Sequence, residues 1–168
     1  MRRMGWLALL FCFVSFVPLA SANAAPPAAD TSWKMSSETP TGRWMTPSHD
    51  AVIQIAPCGA DVCGQIVGMV LAPTDPVPRD WAGASQCNLT IIRAAPQREY
   101  DGRVIWRGII IDPRDGSAYH AQMIIGADHQ LKLRGYVGLP IFGRTQSWVS
   151  YTGPEAAADC RLSQTQPG

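Results

Sequence analysis

Three histidines, His49, His120 and His129, are the side chains here that exchange a proton near neutral pH without help from their surroundings. His49 and His129 fall in turn segments and His120 falls mid-strand. Nucleophilic catalysis needs such a base beside a serine or cysteine. No serine here is set as G-x-S-x-G. Cys58, Cys63, Cys87 and Cys160 are better read as disulfides than as thiolates. The pattern is therefore non-catalytic, with a reaction centred on His120 kept as a third reading. The carboxylates of "DPRDG" at 112–116 lack the spacing and closing glutamate of a calcium loop. Pro113 and Gly116 suit a tight turn instead, with Asp112 bonding the turn's own amides. No metal and no cofactor are expected.

The cysteines also speak for the compartment. "MRRMGW", the apolar run "LALLFCFVSFVPLA" and the small residues "ANA" at 22–24 have the build of a cleaved signal peptide over residues 1–24. Cleavage after Ala24 removes Cys12 and leaves four cysteines, an even number suited to an oxidising periplasmic or secreted setting. Three pairings are possible. Cys58–Cys63 with Cys87–Cys160 is favoured because the first two flank "GAD" and face each other across a turn. A zinc site at C-x4-C would need a companion pair, and none is present.

Charge excludes other classes. The chain has 14 Lys and Arg against 13 Asp and Glu, and the signal holds two of the arginines, leaving the rest one charge negative. Nothing in that balance suits nucleic acid or an anionic membrane. No transmembrane span is expected once the signal is removed.

These residues must be positioned by strands. Residues 25–40, rich in Ala, Pro and Ser, read as a flexible leader, and 154–168 as a tail tied back by Cys160. Between them, 41–153 show no helical period. They hold eight short β-branched and aromatic runs bounded by turn residues. The proline-rich excursion after Leu71 cannot be a central strand, because each proline lacks a donor. Eight sequential strands with short loops predict an all-β, antiparallel up-and-down barrel, since closure removes exposed edges; a sandwich is the alternative.

Gly42 and Trp44 stand in the G-x-W spacing of the first lipocalin strand, where the indole packs across the closed end of the barrel. A longer resemblance covers most of 41–149. "GRWMTPSHDAVIQIAPCGADVCGQIV", "IIIDPRDGSAYHAQMII" and "LKLRGYVGLPIFGRTQSWV" resemble the bacterial exported domains called DUF2147. That resemblance implies a small lipocalin-like or fatty-acid-binding-like barrel and carries no activity with it. The segment after Leu71 lacks that family's polar stretch, and Ser150 stands where a basic residue would complete a clasp on the barrel-closing tryptophan.

Candidate binding residues follow from the last hairpin. In "LKLRGYV", Leu131, Leu133, Gly135 and Val137 share one face, while Arg134 and Tyr136 share the other. If the apolar face lines the barrel, Arg134 meets water. If the interior holds a polar cavity, Arg134 and Tyr136 can grip a ligand carboxylate. The tip carries Leu139, Ile141 and Phe142 between Gly138 and Gly143. Burial of each is worth about 1.5–3 kcal/mol. The expectation is first a stopper folded into one barrel mouth, then a lid over a cavity, then an exposed docking surface. The candidate ligand-binding set is therefore Arg134, Tyr136, Leu139, Ile141, Phe142, Arg144 and Trp148, with Gly42 and Trp44 closing the barrel. The expected partner is a small apolar or amphipathic ligand. The alternative is a non-catalytic envelope scaffold or protein-interaction module using the 138–143 tip, its protein partner unknown.

Overall fold

A computed structural model describes residues 39–162, so the expected signal and most of the expected leader lie outside the described residues. Eight strands follow in chain order: β1 (Gly42–Met45), β2 (Ala51–Cys58), β3 (Asp61–Met69), β4 (Thr90–Arg98), β5 (Val104–Ile111), β6 (Ala118–Ile125), β7 (Leu131–Tyr136) and β8 (Arg144–Ser150). Each pairs antiparallel with the next, and β8 returns to β1 through Trp44↔Ser150 and Met45↔Val149, closing the barrel. The expected up-and-down topology is the observed one. Successive strands alternate in direction. Loops 46–50, 70–89, 112–117 and 137–143 therefore share one rim, called upper here, and loops 59–60, 99–103 and 126–130 share the lower.

Residues opposite each other across an antiparallel ladder share a face. The pairs Trp44↔Ile53, Ile92↔Ile110, Trp106↔Met123, Met123↔Leu133 and Leu131↔Trp148 therefore lie on the inward face of the cylinder. Ile53, Ile55, Ile92, Met123 and Leu131 on this face are almost wholly buried and belong to one hydrophobic cluster. Two prolines sit inside strands without breaking them. Pro57 of β2 lies beyond the first residue of β1, and Pro96 of β4 lies beyond the first residue of β3. Neither is asked for an N–H on its unpaired side.

Both expected disulfides are formed. Cys58–Cys63 brackets the β2–β3 turn with Cα atoms 5.7 Å apart, and Cys87–Cys160 joins residues 73 apart in sequence. The second bridge fixes two irregular segments. After β8 the tail climbs the outer wall, where Arg161 pairs with Met69 in parallel and Leu162 covers Gly68. A Cβ on Gly68 would stand 2.9 Å from Leu162 Cδ2, so the tail docks only on a bare backbone. The excursion 70–89 crosses the upper rim as a strap. Leu71, Val77 and Leu89 pack onto the core, and Trp81 lies against Gly116 of the 112–117 turn. The leader stops short of its expected end: Pro40 is buried, and its carbonyl accepts the Trp44 Nε1–H at 2.8 Å.

Replacing Cys87 and Cys160 together by serine is expected to cost roughly 4 kcal/mol of unfolding free energy, against roughly 2 kcal/mol for the Cys58–Cys63 pair, because the longer loop gains more freedom when unfolded. Urea denaturation of the two double variants measures both. Equal losses would show that loop length does not set the worth of the two bridges.

Candidate functional site

The β7–β8 hairpin gathers the expected site residues, but not around an interior cavity. Leu131 and Leu133 are buried inside the cylinder, so Arg134 and Tyr136, at the alternate positions, face outward. The ligand-carboxylate role expected for this pair does not survive that register. Arg134 is nonetheless more than a solvated charge. Its Nε donates to the Pro140 carbonyl at 2.7 Å, Nη2 to the Ile141 carbonyl at 3.2 Å, and Nη1 to Thr145 Oγ1 at 2.8 Å. The guanidinium fork is planar and carries donors on both edges, so one side chain reaches three acceptors. It holds the tip.

Tip residues 140–142 form a single 3-10 turn, started by Pro140, whose fixed φ suits a first helical position. Phe142 N–H donates to the Leu139 carbonyl and Gly143 N–H to the Pro140 carbonyl. The carbonyls of Leu139, Pro140 and Ile141 thus all accept bonds from within the hairpin. The side chains go the other way. Val137, Leu139, Ile141 and Phe142 are 71%, 63%, 76% and 79% exposed. The expected stopper is overturned, and the fold gives the reason. The strap residues Leu71, Val77 and Leu89 already pack onto the core from the upper rim, while Leu133 and Trp148 fill the cylinder beneath the hairpin.

The other expected residues separate. Trp148 is a core residue, its Nε1–H donating to Gln146 Oε1 at 2.8 Å. Arg144 shares the inward face of Trp148 by register with Gly135, yet it is exposed at the upper rim and has no carboxylate partner among the described residues. Trp44 and Gly42 line a recess of about 480 Å³ at the lower rim with Ile125 and His129. Trp44 is buried there and belongs to the core cluster. The missing clasp at Ser150 has a counterpart in Arg43, whose guanidinium lies 5.7 Å from the centre of the Tyr151 ring.

Sequence reading missed the outward row Ile109↔His120↔Tyr136, where the His120 and Tyr136 rings stack with centroids 5.4 Å apart. Strand alternation contained that row; what hid it was the cross-strand register. Electrostatics complete the picture. From His129 to Gly153 there is no Asp or Glu, while Lys132, Arg134 and Arg144 are all present. Lys132 is neutralised toward the lower rim by Asp128, whose carboxyl sits below its ordinary value because of the Lys132 hydrogen bond. On the 112–117 turn, the Arg114 side chain likewise holds the Asp112 carboxyl low, and the Arg114 amide also donates to it. Those carboxylates serve the turn itself.

Fold and site together define a small closed β-barrel with a filled core and an apolar hairpin held out from one rim. The family described as an uncharacterized protein conserved in bacteria (DUF2147) matches residues 42–150, β1 through β8. The chain belongs to that family. No curated protein and no solved structure matches it.

Arg134→Ala is expected to cost about 1.5–3 kcal/mol, the usual loss for hydrogen bonds to a charged group. Arg134→Lys should recover less than half, since an ammonium cannot span the three acceptors. Amide exchange at Phe142 and Gly143 should quicken in both variants, and unchanged exchange there would show that the tip holds itself.

Proposed function

We propose that this protein is an exported, non-catalytic docking module that uses the apolar tip of its β7–β8 hairpin to hold another surface in the bacterial envelope. The observation that carries the reading is the exposure of Val137, Leu139, Ile141 and Phe142 on a turn whose backbone is pinned by Arg134. A monomer gains nothing from leaving four such side chains in water, and contiguous exposed apolar groups commonly mark contact sites. Export is supported by the N-terminal sequence and by two disulfides whose upkeep needs an oxidising compartment. His120, the candidate base, stacks on Tyr136 on the outer wall and so extends the contact patch beside the tip.

Phe142→Ser tests the reading. The purified variant should melt within about 2 °C of wild type, because an exposed side chain contributes little to folding. In the native bacterium it should shift from the envelope-bound fraction to the freely soluble one. Equal partitioning of the two proteins would end the proposal.

A second reading, a carrier of a small apolar or amphipathic ligand, is favoured by the lower-rim recess. Its volume of about 480 Å³ suits a small molecule, and Trp44 and Ile125 give it apolar walls. Native mass spectrometry of the exported protein should then show a bound mass that Ile125→Arg removes. A single apoprotein mass from freshly isolated material counts against the carrier.

A further inference from the structure

Resting on the docking reading, we propose that the surface held by the hairpin is a phospholipid bilayer of net negative charge, with the tip side chains seated at the boundary between headgroups and acyl chains. Exposure gives the first argument. No residue of the 140–142 turn is buried, and Val137, Leu139, Ile141 and Phe142 are all exposed. So much uncovered apolar surface on one hairpin tip suits a fluid apolar medium.

The second argument is the backbone. Inside lipid there is no water to satisfy N–H and C=O groups, so an inserted segment must satisfy them internally. Pro140 has no N–H to satisfy. The Leu139, Pro140 and Ile141 carbonyls already accept bonds from Phe142, Gly143 and Arg134. Arg134 supplies two of these bonds from the wall beneath the tip. There it can keep its charge among the headgroups while its stem lies along apolar surface.

Charge is the third argument, and it selects the lipid. Arg144, directly after the tip, has no carboxylate partner among the described residues, and no acid occurs between His129 and Gly153. The other upper-rim loops carry Asp50, Asp75, Asp80, Asp112 and Asp115 against Arg79 and Arg114, with Arg114 paired to Asp112, and so remain net negative. An anionic surface would therefore draw the hairpin side of the rim toward itself in preference to the rest, so the barrel should meet the bilayer tilted, with the hairpin leading.

Cosedimentation of the mature, disulfide-bonded protein tests this with two kinds of vesicle: phosphatidylethanolamine mixed with phosphatidylglycerol, and phosphatidylcholine alone. Wild type should bind the mixed vesicles more strongly. Phe142→Ser should weaken that binding about tenfold or more, the value of one buried aromatic side chain. Arg144→Gln should weaken it about fivefold, only on the mixed vesicles and only at low salt. Both changes lie at exposed positions, and unchanged melting temperatures would confirm intact folding. Absence of binding to either vesicle overturns the lipid inference, as does equal binding by wild type and Phe142→Ser. Tip-dependent self-association in place of vesicle binding overturns it too. If vesicles fail while envelope retention still depends on Phe142, the occupant is a protein and the docking reading stands; if retention is also independent of Phe142, both fall.

Discussion

Everything in this molecule depends on closing a cylinder with a strand of four residues. β1 is short, and it meets β8 through two register pairs only, yet without that seam β1 and β8 would be open edges ready to pair with other chains. Trp44 makes so short a strand sufficient. Its ring is buried in the common core, its N–H is spent on the Pro40 carbonyl, and Gly42 at φ 143° lets the chain bend into place before it. The seven other pairings, β1–β2 through β7–β8, each join strands adjacent in sequence, so the seam is the one pairing of the barrel that brings distant parts of the chain together.

The upper rim solves a different problem by division of labour. The strap and the hairpin both carry apolar residues across the same rim, but one mouth needs only one stopper. Leu71, Val77 and Leu89 of the strap pack against the core, and the Cys87–Cys160 bridge secures the strap's return end to the tail. The hairpin is left with apolar side chains and no cavity to receive them. Arg134 then fixes a conformation that simple burial would not choose, holding carbonyls inward and side chains outward.

What could be read from the residues follows the range of the forces involved. Strand alternation, turn chemistry and cysteine parity are local signals, and they led to the barrel, the 112–116 turn and both disulfides. The outward direction of Arg134 was also contained in "LKLRGYV", because Leu131 and Leu133 demand the core. Its partners were not, since backbone carbonyls six and seven residues away leave no mark on side-chain type. The fate of Leu139, Ile141 and Phe142 was misjudged for a related reason. Burial energy says what apolar groups prefer, but not whether space is free, and the space was taken by a proline-rich segment whose path no periodicity described. Trp148 shows the converse: expected at a binding site, it is needed by the core.

The course of the tail has a consequence for how the molecule can be attached to anything. The chain enters β1 at the lower rim, but after β8 it doubles back up the wall beside β3, so Arg161 and Leu162 stand near the top. Entry and exit are therefore a full cylinder height apart. A support gripping the entry side would hold the greasy hairpin outward like the head of a bolt, whereas one gripping the exit side would bring that head down against itself.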